Sequence, residues 1–539
     1  MHSINGYLLD IPNQRIFPGS VTYDQGRIEE IRTAKSAPER YILPGFVDAH
    51  VHVESSMLPP AEFARLAVVH GTVATVSDPH EIANVLGLEG VKYMLQNAAR
   101  TNFKCYLGAP SCVPATTFET AGAELTHDEI ELLFKDHKVK YLAEMMNWPG
   151  VLQQDENVMN KITLAQKYGL PVDGHAPGLI GQQAIDYINA GISTDHECFT
   201  ADEAIHKLKN GMKVIIREGS AAHNFEELYG LIFSYPDQVM FCSDDKHPDS
   251  LVEGHINQLV RRSMSKGCDL FKVLKVACIN PVKHYKLDVG LLQPGDPADF
   301  IVVDSLIDFK ILQTFINGEL VAENGKSKLP KIESRVVNNF ATHPVKAGDF
   351  QVTSTGNSEY PVMVVRDQQL ITEKAYYPLP EKDGFLQTDL VNDLLKIVVV
   401  NRYRPAKPAI SFIKNFGLKE GAIASSVAHD SHNLVAVGTN DEKLMQVINL
   451  VIKHKGGVAA ANNREEKIVP LPIAGLMSDG DGYTVAREYA QLELMAKKMG
   501  STLSSPFMSL SFMALLVIPK LKLSDKGLFD GEKFKFVDQ

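Results

Sequence analysis

None of the six cysteines forms a C-x-x-C pair, no apolar run approaches membrane-spanning length, and no dense block of lysine and arginine occurs anywhere in the chain. Each absence removes a class of function. Cys105, Cys112, Cys198, Cys242, Cys268 and Cys278 are scattered, which suits reduced, buried thiols in a reducing compartment and not a disulfide framework. A zinc deaminase of the cytidine type needs H-x-E together with P-C-x-x-C, and His52-Val-Glu54 supplies only the first half. The longest apolar run near the C-terminus, Phe512 to Ile518, is far short of the ~20 residues of a membrane span. The opening residues lack a basic region followed by an apolar core, so a cytoplasmic protein is expected. The formal charge of −11 argues against a nucleic-acid partner, since such surfaces are usually basic.

What is present is the composition of a globular protein, 45% hydrophobic and 22% charged over 539 residues, long enough for two or three domains. Residues 1–42 alternate short apolar runs with turns, and the texture returns over 289–344. The two flanks are therefore expected to pair as a small β-sandwich domain. Between them, residues 43–288 alternate short strands with helical stretches. Eight strands are predicted: Leu43 to Val47, Thr72 to Ser77, Phe103 to Gly108, Val139 to Glu144, Pro171 to His175, Ile192 to His196, Met212 to Arg217 and Gln238 to Ser243. Eight strands over a length near the typical ~250 residues favour a (β/α)8 TIM barrel over an open doubly wound sheet, which alternates in the same way. Residues 345–539 read as a separate α+β domain with helices around Asp441 to Lys455 and Thr484 to Met499, making the whole an α/β fold.

In a barrel the chemistry sits at the C-terminal ends of the strands. Those ends carry metal-ligand residue types: His50 and His52 on the first, Glu144 on the fourth, His175 on the fifth, His196 on the sixth and Asp244 on the eighth. Residues i and i+2 of a strand share a face, so two imidazoles of an H-x-H pair can converge on one ion. Alone, such a pair is as readily two packed histidines, but six ligand types each in phase with a strand end favour a metal centre. Four imidazoles and two carboxylates without a thiolate suit Zn, Mn or Fe and are too many for one tetrahedral site, so two ions are expected, with Glu144 able to bridge them.

The residues His50-Val-His-Val-Glu-Ser-Ser-Met57, Ser77-Asp-Pro-His-Glu-Ile-Ala-Asn84, Asp173-Gly-His175, Arg217-Glu-Gly-Ser-Ala-Ala222, Cys242-Ser-Asp-Asp245 and Val427-Ala-His-Asp-Ser-His-Asn433, with the closing Val289-to-Val303 segment, resemble the amidohydrolase superfamily and, more narrowly, the bacterial adenine deaminase family along almost the full chain. The resemblance implies hydrolysis of adenine to hypoxanthine and ammonia on a barrel with a binuclear centre, usually manganese or iron. It carries the ligand roles onto His50, His52, Glu144, His175, His196 and Asp244. Many relatives bridge their metals with a carbamylated lysine, where this chain offers Glu144, so metal assembly is expected to need no carbon dioxide.

Asp244 is the expected proton acceptor, and Glu54, Glu81 and His80 are the candidate donors of the proton that N1 of the purine must take. Asp78, His80 and Glu81 follow the second strand, where an extra ion or substrate orientation is conceivable. Candidate substrate contacts are Ser111, Arg217, Glu218, Ser220, His429 and Asp430. The His429-Asp-Ser-His432 cluster is either a further metal site or a loop docking the last domain as a lid, with the lid preferred. Asn401-Arg-Tyr-Arg404 departs from the family texture and is expected to affect lid or substrate choice. The expected partner is a purine base, with no nucleic acid or membrane, and the chain is expected to form a homodimer. The competing readings are an amidohydrolase for N6-substituted adenine or another cyclic amidine or amide, and a non-catalytic metal-binding scaffold.

Overall fold

A computed structural model describes residues 1–137 and 139–537. The eight barrel strands are Phe46–Val51, Thr72–Ser77, Lys104–Leu107, Leu142–Met145, Val172–Gly174, Thr194–Asp195, Lys213–Arg217 and Val239–Cys242. They pair in parallel in that order. Single bridges join Ala109 to Leu142 and Val172 to Ile192, and a last bridge, Val51 to Asp244, closes the ring.

The first barrel strand lies later than the sequence suggests. Tyr41–Pro44 instead belongs to the flanking sheet, parallel to His2–Asp10 and antiparallel to Phe300–Val303. Gly45 makes the break: a Cβ there would stand 2.3 Å from a Val73 methyl, so only glycine lets the chain cross between the two sheets. Consequently His50 lies within the strand and His52 just beyond it.

The two flanks of the barrel form one eight-stranded sheet, with the segment Tyr41–Pro44 at its centre linking the N-terminal strands to those after the barrel. The sheet folds over a shared apolar core: Tyr23 of the N-terminal half meets Phe300 and Phe315 of the other half, with ring centroids 5.6 and 6.0 Å apart. Residues 328–346 do not continue that sheet: Ala341 N–H donates to Arg402 O at 2.8 Å and Asn338 Nδ2 to Lys455 O at 2.7 Å, so this stretch runs along the C-terminal region.

The C-terminal region holds a second eight-stranded sheet and the helices Asp441–Lys453 and Gly482–Lys498. One face of this sheet packs on Asp441–Lys453 as a core of its own, while the other joins the barrel. One hydrophobic cluster runs from Val47, Phe63 and Val76 of the barrel to Ile397, Val435 and Met477 of the C-terminal sheet, so burial on both sides depends on their contact. Among the described residues no helix is long and apolar enough to cross a membrane.

Asp48 staples the first strand to the end of the last. Its carboxylate accepts from Ser243 N–H at 3.0 Å, from the Ser243 hydroxyl, and lies 2.8 Å from His255 Nε2, whose Nδ1 meets Thr72 Oγ1 at 2.7 Å. Replacing Asp48 with alanine strands these buried donors. The expected outcome is a loss of about 3 kcal/mol of stability, read as a lower thermal unfolding midpoint.

Candidate active site

The backbone bonds that close the barrel also place the chemistry. Asp244 N–H donates to His50 O at 3.0 Å and His52 N–H to Asp244 O at 3.3 Å, while Asp244 takes a left-handed φ of 52°. That conformation is uncommon for a non-glycine residue, and here it is held by hydrogen bonds on both sides. The Asp244 side chain is thereby turned to the histidines: Oδ1 is 3.5 Å from His50 Nε2 and 3.3 Å from His52 Nε2.

Glu144, at the end of the fourth strand, divides its two oxygens. Oε1 faces His52 Nε2 at 3.3 Å, and Oε2 faces His175 Nδ1 at 2.9 Å and His196 Nε2 at 3.3 Å. All six of these side chains are buried. The structure thus brings together every residue proposed from the sequence as a metal ligand.

Burial alone would protonate these carboxylates, so the neighbours decide their charge. Burial pushes Asp244 up, but the Arg217 guanidinium and the imidazoles of His50 and His52 outweigh it and hold its carboxyl well below the usual range. Burial likewise opposes ionisation of Glu144, and His175, His196 and His52 reverse the effect. Burial and the nearby His196 pull His50 down, whereas the surrounding carboxylates outweigh burial at His52, His175 and His196 and push them up.

A roof from the C-terminal region covers the cluster. His52, Glu144, His175, His196 and Asp244 share a cavity of about 20 Å3 with Leu370, His429, Asp430, Phe512 and Leu515. That is room for about one water. Arg402, fully buried, supports the roof loop by donating to Asn338 Oδ1 at 2.7 Å, Ala474 O at 2.8 Å and His432 O at 3.2 Å. The Tyr403 hydroxyl donates to Ser431 O at 2.5 Å, so the Asn401–Arg404 segment serves as the loop's scaffold.

Residues 41–321 match the profile of the amidohydrolase family, and residues 369–535 match the adenine deaminase C-terminal domain. Adenine deaminase of Sulfurovum sp. is 54% identical over 98% of both chains. That of Salinibacter ruber is 53% identical over 100% of this chain and 98% of its own. That of Methanosarcina mazei is 49% identical over 100% and 99%. The chain belongs to the adenine deaminase family.

Membership of the amidohydrolase family implies a divalent metal site, and the donor set fits one. Two donors held at ~2.0–2.1 Å and at the tetrahedral angle around one ion lie about 3.3–3.4 Å apart. The separations of 3.3 to 3.5 Å from His50, His52 and His196 to the carboxylates match that edge. The other ring nitrogens, His50 Nδ1 and His175 Nε2, are buried and have no hydrogen-bond partner among the described residues.

The other proposed residues fall into two groups. Glu81, His429 and Asp430 line the cavity; Glu54, Ser111, Arg217, Glu218 and Ser220 do not. Arg217 cannot reach a ring nitrogen because it donates to Asp244 Oδ2 at 2.8 Å and to both oxygens of Glu197. Ser111 donates to Glu144 O at 2.5 Å, supporting the fourth strand end. Glu218 pairs with Arg262, and Ser220 Oγ accepts from His247 N–H at 2.9 Å. Glu54 is buried, and desolvation together with the Glu81 carboxylate pushes its carboxyl up to about 8. His80 joins Asp78 Oδ2 at 3.0 Å to Asp430 Oδ1 at 3.6 Å.

Sequence reasoning missed Glu197, whose Oε1 lies 3.4 Å from His196 Nε2 and 3.7 Å from His175 Nδ1. Its position directly after His196 was the available signal. Leu370, Phe512 and Leu515 carried no signal, being ordinary apolar residues in a distant segment.

Because Glu144 alone addresses both halves of the donor set, Glu144→Gln is expected to lower bound metal from two equivalents per chain to one or fewer, measured by elemental analysis. Reconstitution of the wild-type apoprotein is expected to proceed equally with and without bicarbonate.

Proposed function

We propose that this chain hydrolyses adenine to hypoxanthine and ammonia, using two divalent ions, manganese or iron in preference to zinc, held by His50, His52, Glu144, His175, His196 and Asp244. The observation that carries the reading is full-length likeness to adenine deaminases, which covers the roof of the cavity as well as the barrel beneath it. A divalent ion, when bound, supplies Lewis acidity and makes water acidic enough to act as a nucleophile near neutral pH.

The protein's own groups then have distinct tasks. Asp244, kept ionised by Arg217, accepts the proton of the attacking water and delivers it to the departing amine at C6. Glu197 holds Arg217 through both carboxylate oxygens and thereby fixes the Asp244 carboxylate. Leu370, Phe512 and Leu515 supply an apolar ceiling that suits a flat purine and excludes bulk water. A cavity of about 20 Å3 admits no purine until that ceiling shifts, so substrate entry requires the C-terminal segment to move. Glu54 and Glu81 are the candidate proton carriers; Glu81 has both oxygens occupied by histidines of the roof, and Glu54 lies outside the cavity lining.

Steady-state ammonia release from adenine, N6-methyladenine, adenosine and cytosine by manganese-loaded enzyme tests the reading. Adenine is expected to be the preferred substrate, and turnover of N6-methyladenine or cytosine in its place would contradict it. Asp244→Asn is expected to lower kcat by ~10²–10⁴-fold while most of the metal stays bound; an active variant would remove Asp244 as the base.

A further inference from the structure

The roof loop places two histidines on one barrel carboxylate. Glu81, at the start of helix His80–Leu86, has Oε1 at 2.5 Å from His429 Nδ1 and Oε2 hydrogen-bonded to His432 Nε2. Three such groups have the composition of a further metal site, but the hydrogen bonding argues otherwise. His432 Nδ1 accepts from Ala428 N–H at 3.3 Å, which leaves the ring proton on Nε2, the atom an ion would need. Glu81 is therefore read as a hydrogen-bond acceptor clamped by two imidazoles.

His429 differs from His432 at its far edge. Its Nε2 is buried without a partner among the described residues, and the residue lines the same cavity as His52, Glu144, His175, His196 and Asp244. The ring plane is fixed by stacking on Phe512, with centroids 4.8 Å apart and planes 19° apart, and the backbone by His429 N–H to Ser511 O at 3.2 Å. An imidazole oriented at Nδ1 by a carboxylate and free at Nε2 has the arrangement of a general acid.

We propose that His429 is a catalytic residue that donates a proton from Nε2 to N1 of the purine, and that Glu81 is the residue that positions it. The proposal rests on the adenine hydrolysis proposed above. As the water oxygen bonds to C6 and Asp244 takes its proton, the C6–N1 π pair moves to N1, which takes the proton of His429. The C6–N6 bond then breaks, and the amine leaves as ammonia with the proton held by Asp244. The hydroxyl proton at C6 returns to His429 as the carbonyl forms. Adenine and water become hypoxanthine and ammonia, and both side chains regain their starting states.

The surroundings favour the acid form. Glu81 faces His429 from its helix, Asp245 and His247 from the segment after the eighth strand, and Asp430 and His432 from its own loop. Burial pulls the imidazolium down, but Glu81, Asp245 and Asp430 outweigh it and lift His429 to about 9. A donor raised in this way is protonated at neutral pH and is lost as pH rises through about 9.

Two variants of the manganese-loaded holoenzyme test this, each checked for metal content and thermal unfolding. In wild type, kcat/KM for adenine is expected to fall above pH about 9. His429→Gln is expected to lower kcat by ~10²–10⁴-fold, with metal content unchanged and the alkaline limb gone. Glu81→Gln is expected to keep measurable turnover with the limb moved to lower pH, because the carboxylate that raises His429 is gone. If His429→Gln does not fold, the direction of the Glu81→Gln shift decides.

The proposal is overturned if His429→Gln keeps wild-type kcat, if the alkaline limb survives in it, or if metal-replete Glu81→Gln is inactive at every pH, which would make Glu81 itself the donor. Failure of the wild type to release ammonia from adenine would overturn the activity reading and this assignment with it. Normal wild-type turnover with any of the former results overturns this assignment alone.

Discussion

The seam between the eighth and first barrel strands is the contact on which the rest of the molecule depends. Two backbone hydrogen bonds between Asp244, His50 and His52 close the ring and in the same stroke bring a carboxylate and two imidazoles together. Asp48 reinforces the seam by accepting from Ser243 at the end of the last strand. Ring closure and site assembly are thus one event, and a barrel opened at this seam would part Asp244 from His50 and His52.

Gathering six ionisable groups in a dry interior is unfavourable unless each charge is matched. The chain matches them in layers. Glu144 sits among the imidazoles of His52, His80, His175 and His196, Asp244 takes Arg217, and Arg217 takes Glu197, so no carboxylate in the cluster faces apolar surroundings alone. The C-terminal region completes the arrangement from above: Glu81 of the barrel accepts from His429 and His432 of the roof. Because the hydrophobic cluster is continuous across that boundary, the roof is part of the folded core. Substrate entry accordingly needs a local shift of the segments carrying Leu370, His429 and Phe512, with the shared core left in place.

Much of this was legible in the sequence because strand periodicity and chemistry coincide. Eight strand ends could be read from short apolar runs, and the residues His50, His52, Glu144, His175, His196 and Asp244 stood out by type. The first strand was misplaced because Leu43 and Pro44 look like barrel residues, and only the close approach of Gly45 to Val73 shows where the chain changes sheets. Arg217 looked available for substrate because nothing local reveals that Glu197, twenty positions earlier, lies beside it. The roof was least legible of all, since Glu81 and His429 are 348 positions apart and no periodicity connects them.

The central claim is that one carboxylate, Glu144, joins two metal positions at the floor of a closed cavity. Anomalous diffraction from crystals of the manganese-loaded protein tests it most directly. The account predicts two manganese peaks, with one Glu144 oxygen on the His50, His52 and Asp244 side and the other on the His175 and His196 side. A single peak, or both Glu144 oxygens on the same ion, would contradict it.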